Sequence, residues 1–349
     1  MADKTLYSVS ISAQAVLDLH SLNNEGGEGN QIQTRMVNIV GADGKLHNVN
    51  AISGDMLKHI QAEHLHRLSV GQLPLCAGCL EFNANRISAD TSYTGQIEAE
   101  KMSDRDALDL LLQMCAMDDL EGNLITSGKR SLPRKSVAEF GWVVGLPEVT
   151  TTDSYFHVKY STRRSAEERA ADETEEARGA NLGQAIFHRP ASSGVYAIVA
   201  NFENARIGFN DITQRYAVDD AQRLARHKAL LESVFYTFIQ PNGAMRGTQN
   251  PHLVDLRGVV AVSTQLVPAP ALSPLNGDYG KELERVAAAL NQLRPGALEL
   301  FPFGSMGEFS EVMTRLIQTT APYKLTYPEP EAAKDKPARK PSKEDKRKG

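Results

Sequence analysis

One stretch of the chain combines residue types that suit an anionic polymer. Ser53 ends a polar, extended approach and is a good helix N-cap, and Gly54 follows it directly. The apolar residues after Gly54 recur at helical spacing, while Lys58 and His59 lie within two turns of the start. Because a helix N-terminus attracts negative charge through its N–H groups and its dipole, this pattern predicts a site for a phosphate backbone. An ordinary capped helix with a solvated basic face is the open alternative.

The three cysteines could belong to a metal site. Cys76 and Cys79 are spaced as C-x-x-C, Cys115 lies further along the chain, and His64 and His66 precede all three. One such pair supplies only half of the ligands that structural zinc requires, and the sequence has no second C-x-x-C. We therefore predict reduced thiols and no cofactor. The open alternative is a zinc site in which Cys76 and Cys79 share the ion with ligands from His64, His66 and Cys115.

Other candidates for chemistry have structural interpretations. Asp118 and Asp119 come shortly before Gly122, and this composition predicts a turn. Phe140 and Trp142 are predicted to pack the core of the surrounding region, with base stacking as the alternative role. The sequence contains no G-x-S-x-G, H-E-x-x-H, phosphate-binding loop or dinucleotide fingerprint. We therefore predict that the protein is not an enzyme.

Composition limits the class of protein. The chain has 349 residues, of which 41% are hydrophobic and 23% charged, as is ordinary for a globular protein. Its N-terminus lacks the apolar segment of a secretory signal, so we predict a cytoplasmic location. The net charge is −5, and residues 328–349 carry eight basic and five acidic side chains, which leaves 30 basic against 38 acidic, or −8, in the body. A nucleic-acid site must then be a local groove on an acidic surface.

Hydrophobic patterning predicts an α+β fold. The strongest strand patterns are residues 7–13, 155–160, 194–202 and 258–264. The helix that follows Ser53 lies between the first two, and a long helix at residues 219–239 lies between the last two. This order, β-α-β-β-α-β, is the split ferredoxin-like plan that RNA-recognition domains use. A large insertion separates the first helix from the second strand.

Six motifs, in order along the chain, resemble one known family. They are NVNAISGDMLKH, PLCAGC, DDLEGNLIT, RKSVAEFGWVVGLPE, GQAIFHRPASSGVYAIVANF and GAMRGTQNPHLVDLRGVVAVS. Together they resemble the CRISPR-associated backbone subunits of the DevR-type autoregulator branch, which polymerise along guide RNA in type I Cascade surveillance complexes. The resemblance implies an RNA-recognition-like palm at 1–68 and 150–327, an inserted finger or web region at 69–149 and a projecting thumb at about 161–190. Residues 328–349 are predicted to be a disordered charged tail.

The resemblance also implies where guide RNA binds. Contacts would come from the helix start, from a glycine-flanked loop after the second long helix, and from the base of the thumb, and we add Arg35 in the second extended segment. Arginine suits this role because its guanidinium forks onto phosphate. The predicted RNA-binding residues are Arg35, Ser53, Gly54, Lys58, His59, Arg163, Arg164, Arg189, Gly243, Met245 and Arg246.

The expected function is that of a non-catalytic subunit in a multi-subunit antiviral complex. Its partners would be crRNA, the target nucleic acid paired to that guide, further copies of itself in a filament and other Cascade subunits, with no membrane. Contacts to phosphate and sugar would make binding independent of spacer sequence. Two alternatives stay open. One is a guide-directed ribonuclease of the related type III kind, using a loop aspartate, and the other is a DNA-binding autoregulator of its own operon.

Overall fold

The computed structural model of the chain describes residues 4–126, 130–160, 184–241 and 250–327. The described residues form sixteen β-strands: β1 (Lys4–Leu6), β2 (Ser8–His20), β3 (Asn24–Glu28), β4 (Gln31–Thr34), β5 (Met36–Val40), β6 (Leu46–Ile52), β7 (Asn123–Ile125), β8 (Leu132–Arg134), β9 (Ala138–Phe140), β10 (Val143–Tyr160), β11 (Gln184–Phe202), β12 (Phe209–Asn210), β13 (Arg215–Tyr216), β14 (His252–Ser263), β15 (Leu298–Phe303) and β16 (Thr320–Pro322). They also form eight α-helices: α1 (Gly54–Ser69), α2 (Ala77–Leu80), α3 (Thr91–Ala99), α4 (Asp104–Met114), α5 (Ala116–Glu121), α6 (Asp220–Ile239), α7 (Tyr279–Leu293) and α8 (Met306–Thr319). None of these helices is long and apolar enough to span a membrane.

A ten-stranded sheet forms the centre of the described fold. Its main path runs β15-β14-β2-β11-β10-β6-β5, and every pairing along this path is antiparallel. β3, β4 and β9 join beside this path. The four predicted strands coincide with parts of β2, β10, β11 and β14 to within one residue, and these strands are neighbours in the sheet. The structure therefore confirms a mixed α/β fold with antiparallel sheets.

Helices α1 and α6 pack together against the apolar face of this sheet. The predicted N-cap at Ser53 is confirmed, because its Oγ accepts the Met56 N–H. At the start of α6 the Asp219 carboxylate caps the helix in the same way by accepting the Gln222 N–H. Ile60 of α1 is fully buried in the core shared with β2. Where the helices cross, Gln61 Nε2 donates to Ser233 Oγ at 2.8 Å, and both side chains are fully buried. The two helices are thus fixed in register by packing and by one buried hydrogen bond.

The other face of β2 is covered by a proline-rich strap, residues 267–274. Alternation along β2 places its serines on this face, and the sequence alone would leave them in solvent. Instead Ser8, Ser10 and Ser12 are all buried. Ser8 Oγ accepts the Ala269 N–H at 2.9 Å, Ser10 Oγ donates to the Pro270 carbonyl at 2.6 Å, and Ser12 Oγ accepts the Leu272 N–H at 3.0 Å. The strap therefore covers the first half of β2 on the face opposite the helices.

The region after α1 joins the sheet earlier than predicted. β9 pairs with β11, and β10 begins at Val143 and pairs with both β6 and β11. The predicted boundary of the insertion at residue 149 therefore falls inside β10. A proline-containing stretch interrupts the strand pattern in the sequence there, but a register shift between Gly145 and Thr150 lets the strand continue. Residues 184–190 of the predicted thumb belong to β11. The rest of the thumb and the tail at 328–349 lie outside the described residues.

Asp118 and Asp119 are not turn residues. Both lie in α5 and are fully buried, because distant parts of the chain supply partners that local composition does not reveal. The Asp119 carboxylate pairs with Arg134 at 2.6 Å and with Arg226 at 2.7 Å, and all three side chains are buried. It also accepts the Gly208 N–H at 2.9 Å. One carboxylate thus joins the inserted region, α6 and the segment before β12.

We expect Asp119→Asn to lower the free energy of unfolding by about 3–5 kcal/mol. The substitution leaves two guanidinium groups buried without their carboxylate, which costs far more than loss of an exposed pair. Asp211→Asn is the matched control. That carboxylate also pairs with Arg134, but its side chain is 43% exposed, so its loss should cost about 0–1 kcal/mol. Urea denaturation measures both variants, and equal costs would contradict a central role for Asp119.

Candidate nucleic-acid interface

A buried asparagine holds two of the predicted RNA-binding residues together. Asn23 Oδ1 accepts the Ser53 N–H at 2.7 Å, and the Asn23 carbonyl accepts the Arg35 N–H at 3.1 Å. Asn23 is itself only 5% exposed. The start of α1 and the backbone of Arg35 therefore have a fixed separation, although seventeen residues lie between Arg35 and Ser53 in the sequence. The sequence prediction placed both residues in one site, and the structure brings them together.

Trp142 lies beside this pair and is not part of the core. Its side chain is 43% exposed, and the Arg35 guanidinium carbon lies 5.6 Å from the centre of its ring. Arg35 also forms an ion pair with Glu25. The prediction of core packing is wrong for Trp142 but holds for Phe140, whose ring packs edge-on against Phe202 with centroids 5.5 Å apart. The reason is β9, which ends at Phe140 and lets the chain turn Trp142 outward.

Gly54 has a packing role at this interface. A Cβ added to Gly54 would lie 2.2 Å from the Phe140 carbonyl oxygen and 3.2 Å from that of Gly141. The first turn of α1 therefore touches the backbone that carries Trp142, and only glycine permits that approach. Arg35, the α1 start and Trp142 form one continuous surface, which we call the helix-start rim.

Lys58 points away from the rim into a neighbouring pocket of about 340 Å³. Its Nζ donates to the Glu121 carbonyl at 2.9 Å, and Arg86 on the same pocket wall donates to the Gly122 carbonyl at 2.7 Å. Burial lowers the pKa of Lys58, although the Glu121 carboxyl partly offsets this effect. Both cations keep further N–H donors, while Asp55 brings negative charge to the same pocket. The pocket is thus a mixed-charge site with two tethered cations.

An aromatic group flanks the pocket on the exposed side of α1. The His59 ring lies 5.8 Å from that of Phe82, and the His66 ring lies 5.1 Å from it on the other side. His59 is exposed, as predicted for a contact residue. Flat rings beside the two cations of this pocket are surfaces on which bases can stack.

The remaining predicted contacts divide into two groups. Arg189 lies in β11 opposite Tyr155, and its guanidinium carbon is 5.9 Å from the Phe187 ring centre. The neighbouring His188 pairs with Gln31 of β4, the strand that leads to Arg35. The other predicted residues, Arg163, Arg164, Gly243, Met245 and Arg246, lie outside the described residues.

The alternative zinc ligands do not all come together. Cys76, Cys79 and Cys115 are buried as one cluster. His64 is also buried, but its Nε2 lies 2.7 Å from the Gln240 carbonyl oxygen, at the end of α6. The fourth residue of the cysteine cluster is instead Asp118.

Sequence reasoning missed several residues of these sites. Arg86 and Phe82 lie in a segment without periodicity, so nothing marked them as pocket residues. Trp142 was predicted to pack the core, with base stacking as the alternative, and the small residue Gly141 before it was the only local sign that the chain turns there. Asp118 could have been predicted from the sequence, because it follows Cys115 at the same spacing that separates Cys76 from Cys79.

A family model described as the CRISPR-associated negative auto-regulator DevR/Csa2 matches residues 11–284. The chain belongs to the DevR/Csa2 family. No curated protein matches it. Two solved structures resemble this DevR/Csa2 chain. One is described as a CRISPR RNA-guided surveillance complex, pre-nicking, with 12% identity and a TM-score of 0.44, covering 83% of this chain and 90% of its own. The second is described as a CRISPR RNA-guided surveillance complex. It has 13% identity and a TM-score of 0.42, and the match covers 84% of this chain and 87% of the other chain.

We expect Gly54→Ala to destabilise this DevR/Csa2 protein by about 1–3 kcal/mol, because the added methyl group collides with a backbone carbonyl that cannot move aside cheaply. The control is Gly280→Ala in α7, where an added Cβ meets no atom within 4 Å. Alanine should raise stability there by about 0.5–1 kcal/mol. Urea denaturation of both variants gives the comparison. A Gly54→Ala protein as stable as the parent would show that the rim is not packed as described.

Proposed function

We propose that this protein is a non-catalytic guide-RNA-binding subunit that polymerises along crRNA in a type I CRISPR interference complex, or Cascade. Membership of a CRISPR-associated family supports a role in this system. The observation that carries the proposal is the helix-start rim, where Arg35 lies over the exposed Trp142 ring next to the N-terminus of α1. Such a surface combines a phosphate-binding cation, helix N–H groups and an aromatic platform.

The charges of the molecule favour a narrow binding track. Its body carries a net charge of −8, so an RNA strand would be repelled except where cations are concentrated. Arg35 on the rim and Lys58 with Arg86 in the pocket lie on either side of the α1 start. A strand that follows this track would present phosphates to these groups and leave its base edges unread. Binding would then be similar for every spacer sequence.

The covered sheet gives a physical reason for the rim. RNA-recognition domains lay bases on the open face of their sheet. Here the strap at 267–274 closes that face over β2 with buried serine hydrogen bonds, while α1 and α6 cover the opposite face. RNA on this protein would therefore run along the edge of the fold.

The strand order supports the proposed domain plan. β14-β2-β11-β10, with α1 and α6 on one face, has the adjacency that a β-α-β-β-α-β palm requires. We infer that this sheet is the palm, that the long β10–β11 hairpin carries the thumb, and that the region after α1 is the finger or web. Further copies of the chain, other complex subunits and the target strand would be its partners.

The alternatives receive less support. Asp118 and Asp119, the paired aspartates of the inserted region, are buried and engaged, so neither can reach a target RNA. The family description names a negative auto-regulator, which supports duplex DNA as a second candidate ligand. The described helices include no helix-turn-helix followed by a basic recognition helix.

Salt titrations against single-stranded RNA, single-stranded DNA and duplex DNA test the proposal. We expect preference for single-stranded RNA. Arg35→Gln should weaken RNA binding about tenfold and reduce the salt slope by about 0.7, the value for one phosphate on a single strand. Trp142→Ala should cost about 1–3 kcal/mol of binding energy and leave that slope unchanged.

Arg315→Gln is the matched control for these variants. Arg315 also lies over an aromatic ring, 4.7 Å from the centre of Phe301, but on α8 away from the rim. Its loss should leave RNA affinity unchanged. Equal effects of the two arginine substitutions would remove the rim from the site. Preference for duplex DNA would support the autoregulator, and cleavage of a paired target RNA with a divalent metal would support the nuclease.

A further inference from the structure

A cluster of four ligand atoms is buried between α1 and the short helices α2 and α5. The Sγ atoms of Cys76, Cys79 and Cys115 and a carboxylate oxygen of Asp118 all lie within 4.8 Å of one another, and no member is more than 2% exposed. Asp118 Oδ2 lies 3.4 Å from the Sγ atoms of both Cys76 and Cys79. A tetrahedral zinc ion with Zn–S bonds of about 2.3 Å holds its sulfur ligands about 3.8 Å apart. The cluster therefore has the dimensions of a single zinc site.

The four residues lie in two turns of the same construction. Cys76 is the N-cap of α2, and its Sγ accepts the Cys79 N–H at 3.3 Å. Cys115 is the N-cap of α5, and its Sγ accepts the Asp118 N–H at 3.4 Å. The chain thus contains C-x-x-C followed by C-x-x-D, with a backbone N–H directed at the first sulfur of each turn. Such hydrogen bonds favour the thiolate, the form that binds metal.

The Asp118 carboxylate is oriented by its surroundings. Oδ1 accepts the Asn123 Nδ2–H at 2.9 Å and lies 3.4 Å from the Ile87 nitrogen. Oδ2 is left facing the sulfurs. Polar groups that fix the outer atom of a ligand are a regular feature of metal sites, because they hold the ligand in its binding orientation.

Charge decides between a metal and a set of plain thiols. In the part of the chain that the structure describes, Asp118 forms no ion pair, although the charge of Arg86 acts on it from outside contact distance. Burying a carboxylate among sulfurs without a directly bound cation is costly. A disulfide between Cys76 and Cys79 would supply no positive charge, so it would leave the Asp118 carboxylate with that cost. Thiolates select zinc, copper(I) or iron–sulfur clusters, and the carboxylate, a hard ligand, favours zinc among these.

We propose that Cys76, Cys79, Cys115 and Asp118 bind one Zn²⁺ ion as a structural site. The ion would tie the segment at 76–79 to the junction of α4 and α5, two parts of a region with little sheet of its own. Cys79 also lines the pocket that contains Lys58 and Arg86, so the ion would fix one wall of that pocket. The site does not depend on the RNA-binding role, since its ligands are all buried away from the rim.

The test begins with metal content. The full chain is purified without added metal, treated with a mild chelator, and analysed for zinc by mass spectrometry. We expect about one zinc per chain. Cys115→Ser and Asp118→Asn should each lower the zinc content at least tenfold. Asp118→Cys should keep it, because it completes a second C-x-x-C pair, and this variant keeps the test valid if the others fold poorly.

His66→Gln is the control variant, because His66 lies in the same region but outside the cluster. This variant should retain the full zinc content. Cobalt(II) added to metal-free protein should give the charge-transfer and visible bands of a tetrahedral thiolate site, and Asp118→Asn should alter them. Absence of zinc from the parent protein together with no cobalt bands would overturn the proposal. So would a disulfide found by mass analysis without reductant, or an Asp118→Asn variant with full zinc content and unaltered bands.

Discussion

The buried carboxylate of Asp119 is the constraint on which the arrangement of this molecule depends. Its oxygens are shared by Arg134 of β8, Arg226 of α6 and the Gly208 N–H, and the three charged side chains have no access to solvent. A desolvated charge does not tolerate the loss of its partners. The inserted region is therefore locked to α6. Because α1 packs on α6, the position of the helix-start rim follows from this one set of ion pairs.

The rest of the surface explains why the helix-start rim would suit RNA binding better than a face of the sheet. Both faces of β2 are covered, one by helices and the other by the strap at 267–274. The body of the chain carries a net charge of −8, so a polyanion would bind only where cations are concentrated, and Arg35, Lys58 and Arg86 are such a group. Arg35 and Lys58 both lie near the start of α1, and Gly54 at that start packs against the backbone that carries Trp142. Packing and charge together leave one edge of the fold as the proposed track for RNA.

Local signals in the sequence predicted the parts of the fold that local energetics determine. The cap at Ser53, the long helix at residues 219–239 and the four central strands could be predicted from local spacing, because cap hydrogen bonds and alternation involve close neighbours. Asp119 could not be read in this way, since its partner Arg226 is 107 residues distant. The burial of the β2 serines depends on a strap about 260 residues further on. Cys115 and Asp118 did carry a readable spacing, but a search for cysteine pairs alone overlooks aspartate as the fourth ligand.

The central claim is that guide RNA follows the helix-start rim and not the sheet. Photocrosslinking of the full chain to a guide RNA that carries thiouridine, followed by mass spectrometry of the linked peptides, tests this claim most directly. The account predicts crosslinks in peptides that contain Trp142 and residues 53–59, at every spacer sequence tried. Crosslinks confined to the strap at 267–274, with none near Trp142 or the start of α1, would contradict it.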